Sequence, residues 1–457
     1  VTNSAALDRA ANNVIVRSLG LRPNQHLLIF ADANSLPVAD AVVLEAQRLG
    51  VSAAVVYVPL DVQATVAPEE ETLPLPIESA IREADAVLSC LSDRPEHQSY
   101  RLRVLRSSWN RRTKLAHAPG MDLSALRMAD TDYGLIGERC MQLAQALILG
   151  RKMEITTEDS RGQRYRLRVT VDGRNYPPGI TDGVIADGAW ANLPPGETYI
   201  VPRDGEGEIA INGSIPGRVL IGAEKLILTF QAGRLVDMQR QDSHAARHLW
   251  QTQVAYAEER GDPNWSNLAE VGFGVNPVIK RLVGKELVDE KKSHTAHIAL
   301  GHSASLGGDV DSVVHCDLVV RDPTVTLDGK PILDRGQWRV NASDWRLDLS
   351  TVEPPGEWMG SLTKVQRSGL RATSDNGRLL RTWSDGRGRW NSTPVGAETT
   401  ARIAARLWNL LPEGGNAIAL SELVQGVAAE LSYEQVLRLL WIMRRYDLVR
   451  LPGEFED

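Results

Sequence analysis

The segment VVHCDLVV sets an imidazole and a carboxylate, His315 and Asp317, two residues apart inside an otherwise apolar run. Alternate residues of a β-strand share a face, so the two polar groups project together, roughly 7 Å apart at Cα. Burying both without a partner is costly, so something on the same face must satisfy them. The surrounding stretch from Asn267 to Leu327 can supply it: NLAEVGFGVNP, then ELVDEKKSHTAHIALGHSASLGGDVDSVVHCDLVVRDPTVTL. It gathers Glu270, Glu290, His294, His297, His302, His315 and Asp317, and holds four of the chain's nine histidines. Small residues in AHIALG and LGGD let backbones approach closely. Carboxylates with imidazoles are a ligand set for zinc, manganese, cobalt or iron, not for calcium and not for a thiolate site. The stretch therefore predicts a metal site, binuclear if two ions share a bridging carboxylate.

At 457 residues the chain is too long for one ordinary core, and two or three domains are expected. A net charge of −7 argues against a surface that coats nucleic acid, which needs a basic face. No apolar run approaches the roughly 18 residues needed to span a bilayer. The N-terminal segment has the apolar spacing of an amphipathic helix and no cleavage-site pattern. Cys90, Cys140 and Cys316 lie far apart with no CxxC pair, which suits buried free thiols. These features together predict a cytoplasmic protein that engages neither nucleic acid nor membrane.

Taken in order, HLLIFAD, VSAAVVYVPL, ADAVLSCLS and KLAHAPG read as strands, alternating with helical segments such as VADAVVLEAQRLG. A repeating βα pattern with apolar strands implies a parallel sheet covered on both faces, so residues 1–150 are expected to form an open α/β domain. No GxGxxG follows the first strand, which argues against a dinucleotide site. From Glu154 the texture changes: EITTEDSRGQRYRLRVTVDG alternates polar and apolar residues around a turn, as a half-solvated hairpin should. ETYIVP, GEIAINGSI and LILTFQAGRLVDMQ continue as strands and HAARHLWQTQVAYAEERG as a helix, so 151–345 is expected to be a mixed α+β domain. Residues 346–457 read as a Trp-rich β segment followed by helices with a winged-helix rhythm, with Ser432 capping the longest. From Val395 onward nine acidic residues face six basic ones, which favours peptide or protein contact or plain packing over DNA reading.

Each residue has a bland alternative. Glu197 follows Pro-Pro-Gly, where a carboxylate is ordinarily a solvated turn residue, although such a turn can also aim it inward. His244 and His248 stand at i,i+4 but lack the Glu of HExxH, so a helix surface is expected there. His294 is expected to be a bystander in a turn.

At LPPGETYIVP, NLAEVGFGVNP, DEKKSHTAHIALG with the following LGG, and HCDLVV with PTVTLDGKPI, the sequence resembles the thermophilic metallo-aminopeptidases of the aminopeptidase T and S type, especially their leucyl aminopeptidase-like branch. The motifs occur in order over roughly residues 1–340, and the tail stands outside the family pattern. The resemblance implies metal ligands at Glu197, Glu270, His297, His315 and Asp317, with Glu290 as a carboxylate that either supports a ligand or serves as general base. It also implies two divalent ions (zinc, cobalt or manganese), a peptide substrate and a homodimer. One departure stands out: seven residues past His297, where the family carries a tyrosine at the reacting centre, this chain has Ala304. Loss of such a donor costs roughly 3–4 kcal/mol of transition-state stabilisation, by analogy with an oxyanion-hole deletion. His302 lies close enough in sequence to supply a donor instead.

The expected fold class is thus α/β and α+β, multidomain, with an aminopeptidase-like metal domain and a winged-helix-like tail. The expected function is metal-dependent peptide hydrolysis by a metal-activated water. Ala304 and the tail motivate one alternative, a protein that holds a precursor peptide during maturation of a ribosomal peptide natural product; a second alternative is an iron-dependent ring-cleaving dioxygenase. Dihydroxypyridine dioxygenases resemble the same scaffold and retain a His/His/Asp set, which His297, His315 and Asp317 could match.

Overall fold

The computed structural model describes residues 2–59, 73–108, 113–159, 161–173, 176–238, 243–350, 352–353, 362, 364–367, 372–384, 390–413, 416–446 and 448–450. Its first sheet has five strands in the spatial order Ser52–Tyr57, His26–Ala31, Ala86–Ser89, Lys114–His117 and Trp190–Asn192. Every pairing in it is parallel, as the βα alternation requires. The helix Leu36–Arg48 covers one face by burying Val38, Ala39, Val42 and Ala46 at helical spacing. Just beyond it Gly50 takes φ +71°, a conformation a side chain would resist. The fifth strand lies beyond residue 150, so the next segment of chain completes the first sheet.

Two antiparallel sheets build the middle of the molecule. The eight-stranded sheet contains the expected hairpin, Lys152–Glu158 with Arg164–Val171, whose outward residues are polar and whose inward residues are buried. The seven-stranded sheet runs in the order Arg218–Val219, Ser214–Ile215, His315–Arg321, Thr295–Gly301, Leu268–Gly274, Glu197–Ile200 and Gly179–Thr181. Its central strands are buried throughout, against the half-buried alternation of the hairpin. A continuous apolar core joins the two sheets, including Ile155, Leu167, Ile209, Val271, Ile298 and Leu318. On the other side Ile279, Leu287 and Val288 pack into the core of the parallel domain. That contact sets the seven-stranded sheet against the parallel one.

The tail carries helices Glu398–Leu410, Leu420–Val427 and Tyr433–Arg445. Ser432 caps the last of these in a reciprocal capping box with Gln435. Strand Lys364–Arg367 pairs with both Ala417–Ala419 and Val449–Arg450. The Trp-rich stretch forms three paired strands, Ala372–Asp375, Arg378–Ser384 and Trp390–Pro394; its residues 368–371 and 385–389, like 451–457 at the chain's end, lie outside the described residues. The tail's apolar residues, Leu407, Leu437 and Leu440 among them, are continuous with the middle core. Arg445 Nη2 also donates to the Leu149 carbonyl at 3.1 Å. Among the described residues, no helix is long and apolar enough to cross a membrane. All three cysteines are buried free thiols.

Candidate metal centre

Four neighbouring strands of the seven-stranded sheet bring the polar cluster together. Glu197 heads Glu197–Ile200, Glu270 sits in Leu268–Gly274, His297 in Thr295–Gly301, and His315 and Asp317 in His315–Arg321. The antiparallel register sets Glu197 opposite Gly274, His297 opposite Gly272, Asp317 opposite Ala299 and His315 opposite Gly301. Opposed residues share a face, so all five polar side chains emerge together, each beside a residue with little or no side chain. This is the physical use of the small residues in AEVGFG and AHIALG. Gly196, at φ +128°, brings the turn within 2.4 Å of Asn276 Cβ, measured from where its own Cβ would stand, so only glycine lets the chain enter here and aim Glu197 inward. Glu197 is buried, so the structure rejects the solvated-turn reading of that position.

The cluster has two halves that share one carboxylate. Glu197, Glu270 and His297 form one group and Glu270, His315 and Asp317 the other, with their ligand atoms within 4.8 Å of one another. His297 Nε2 lies 3.0 Å from Glu197 Oε1 and 3.3 Å from Glu270 Oε1. The other Glu270 oxygen, Oε2, lies 3.5 Å from His315 Nε2, which is itself 3.6 Å from Asp317 Oδ1. His315 Nδ1 donates to the His302 carbonyl at 2.7 Å, which fixes the ring and turns Nε2 to the cluster.

Electrostatics dominate this pocket. Burial opposes charge on His297, yet its hydrogen bonds to Glu197 and Glu270 outweigh burial and hold its pKa at about 10. His315 likewise stands at about 10 against burial, chiefly through the charge of Asp317 beside it. Burial raises Glu270, helped by the charges of Glu197 and Asp317. Asp317 is lowered despite its burial, because His315 faces it. No hydrogen-bond donor among the described residues reaches Asp317 Oδ1. A buried carboxylate oxygen without a donor, within a surplus of carboxylates, is what a divalent cation satisfies. The two groups together can therefore coordinate divalent metal ions, and the nitrogen and oxygen donors suit the transition metals and zinc.

Three neighbours escaped the sequence reading. Glu286, on the short helix Glu286–Asp289, accepts the Asp317 N–H at 2.8 Å; burial and then the charge of Asp317 push its carboxyl up to about 8. Lys291 is wholly buried, pairs with Glu290 and lies 3.3 Å from Glu197 Oε2. Arg101, from the parallel domain, lines the same cavity. Glu286 and Lys291 lie inside the quoted stretch, but nothing in their spacing distinguishes them from solvated charges; Arg101 carries no local signal at all.

The remaining expected residues fall as follows. Glu290 lines the cavity. So does the His302 ring, whose Nδ1 pairs with Asp311 at 2.9 Å while Nε2 accepts the Ser305 N–H at 3.0 Å. His294 occupies a left-handed turn and bonds the Gly336 carbonyl, and His248 bonds that of Pro216, both away from the cluster. Ala304 opens a single 3₁₀ turn, Ala304–Leu306. The cavity, about 180 Å³, lies between the cluster and the carboxyl ends of the parallel strands, where His117 and Asn192 enter its wall. Ligands of open α/β sheets bind at that edge.

No protein-family model matches the chain, and no curated protein matches it in sequence. Solved structures do. A 2,5-dihydroxypyridine dioxygenase from Pseudomonas putida KT2440 aligns over 75% of this chain and 99% of its own, at 16% identity and a TM-score of 0.56. Wild-type AmpT from Thermus thermophilus aligns over 74% of this chain and 99% of its own, at 18% identity and a TM-score of 0.52. At such identities the likeness is one of fold. The chain thus shares a distant likeness of fold with both the dioxygenase and AmpT.

Proposed function

We infer that the chain is a metal-dependent hydrolase that removes a residue from the N-terminus of a short peptide. The observation that carries this reading is the split engagement of Glu270, one oxygen toward His297 and the other toward His315. A carboxylate so placed is suited to bridge two cations, with Glu197 and His297 completing one coordination set and His315 and Asp317 the other. Two bound ions would supply Lewis-acid polarisation of a carbonyl and a water of lowered pKa. Glu290, on the cavity wall, would serve as a base toward an attacking water, while Lys291 holds Glu290 and Glu197 in place. His302 orients His315 through its carbonyl, and with both ring nitrogens engaged its side chain stiffens the loop. The tail, with three helices and a small three-stranded sheet, fits a winged-helix-like module for peptide or protein contact.

One observation favours a second reading. The buried Lys291 ammonium already supplies a positive charge to the Glu197 half of the cluster. A single redox-active ion held by His297, His315 and Asp317 would then suffice, as a ring-cleaving dioxygenase requires. The test is to load the chain separately with zinc, cobalt, manganese and ferrous iron. Release of N-terminal residues from a dipeptide library is then followed by mass spectrometry, beside oxygen uptake on dihydroxypyridines. Metal-dependent residue release supports the hydrolase. Iron-dependent oxygen uptake without release replaces it with the dioxygenase, and peptide binding without turnover replaces it with the peptide-holding alternative.

A further inference from the structure

Arg101 lies on the helix Gln98–Ser108 of the parallel domain, across the cavity from the carboxylate–imidazole cluster. Its residue is only 9% exposed, so its guanidinium has surrendered most of its hydration. Nη1 donates to the carbonyl of Arg94 at 3.1 Å and to that of Ser92, which pins the group in one orientation. Nε and Nη2 have no hydrogen-bond partner among the described residues, and no carboxylate among them comes within ion-pair distance. Burial lowers its pKa to about 10, while Asp93, Glu286 and Glu96 act on it only as charges at longer range. A largely desolvated guanidinium with an open Nε–Nη2 edge matches the two oxygens of a carboxylate, which it binds through parallel hydrogen bonds.

The cavity is lined by Asp93, Glu197, Glu270, Glu286, Glu290 and Asp317, so an anion entering it without bound cations meets carboxylates on its walls. Arg101, on the other wall, is the one arginine or lysine among the described lining residues, and its guanidinium can give an anionic group a charge-assisted bond away from the cluster. We propose that Arg101 anchors the carboxylate of a small substrate, the C-terminal carboxylate of a dipeptide, while the amino-terminal part lies at the cluster. This deepens the hydrolase reading and rests on it for the identity of the substrate, though not for the arginine's preference for carboxylates.

The test compares paired ligands on the zinc-loaded full chain and on Arg101→Met and Arg101→Lys, with metal content and thermal unfolding as controls. Leu-Gly is measured against Leu-Gly amide and against amidated Leu-Asp, and benzoate against benzamide, by calorimetric Kd, or by KM where a peptide is cleaved. The expected result is a preference for free Leu-Gly over its amide of roughly 10- to 100-fold. That preference should collapse toward unity in Arg101→Met and recover in part in Arg101→Lys, with zinc content unchanged. Tight binding of amidated Leu-Asp would place a side-chain carboxylate at the arginine instead, overturning the C-terminal assignment. A preference shown by benzoate alone would retain the arginine's role and sink the peptide reading. No carboxylate preference in either pair, or one that survives in Arg101→Met, would overturn the proposal.

Discussion

A Cβ placed on Gly272 would stand 2.1 Å from Nε2 of His297, so the imidazole lies directly over a backbone that has no side chain. The two residues are opposed in register on neighbouring strands, and the ring leans across the gap toward Glu270 and Glu197. Gly272→Ala must therefore displace His297. Such overpacking costs about 1–3 kcal/mol, and the larger effect should fall on the metal set that uses this imidazole. We expect the variant to fold, with a lower Tm, and to hold about one ion fewer than wild type by elemental analysis. Full metal content in Gly272→Ala would show that His297 is not a ligand.

The two halves of the cluster differ in their neighbours, and single substitutions should separate them. Glu197→Gln is expected to weaken only the half beside Lys291, and Asp317→Ala or His315→Ala only the half beside Glu286. Metal titration followed by calorimetry should show one lost binding step in each case. Loss of both steps on Glu197→Gln alone would mean that the halves are not separable in this way.

Glu290→Gln keeps the shape of the carboxylate and removes its charge. Because Glu290 lies outside both ligand groups, metal content should hold while residue release falls at least 100-fold, the usual weight of general-base catalysis. Rates and elemental analysis on the same preparation check this, and retained activity would remove Glu290 from the reaction.

Protonation gives a signature that runs with pH. In the metal-free chain His297 and His315 are held at about 10, above the ordinary histidine value near 6.5. Groups raised on folding contribute stability that is fully present below about pH 6.5 and is lost as pH rises through 10. Bound ions displace those protons, so the loaded chain should escape this loss. The Tm difference between loaded and metal-free protein should widen from pH 6.5 to 9.5, and loading should release protons in a weakly buffered solution. At a free-ion concentration of 100 Kd each site adds about 2.7 kcal/mol. A Tm difference constant across that range would contradict the imidazole assignment.

The hairpin of Lys152–Glu158 and Arg164–Val171 was legible in the sequence because its residues alternate strictly, and the shared face of His315 and Asp317 because two polar residues stand two apart in an apolar run. The burial of Glu197 was not readable from its own surroundings. Its direction depends on Gly196 closing against Asn276, which is remote in the chain. Trp190–Asn192 is three residues long among glycines and prolines, so its role as the fifth parallel strand is visible only once the sheet has assembled. Arg101 and Lys291 owe their environment to domain packing, and a buried charge looks like a solvated one until its neighbours are in place. The tail reads as an appendage in sequence, yet its apolar residues share the core of the middle sheets.

The most direct test of the binuclear account is the metal content of Glu270→Ala beside wild type, after saturation with zinc and removal of excess. The shared carboxylate predicts two ions per chain in wild type and loss of both from this one substitution, with secondary structure intact. A variant that kept its metal, or a wild-type chain that took up no more than one ion, would contradict Glu270 as the bridge on which the proposed chemistry depends.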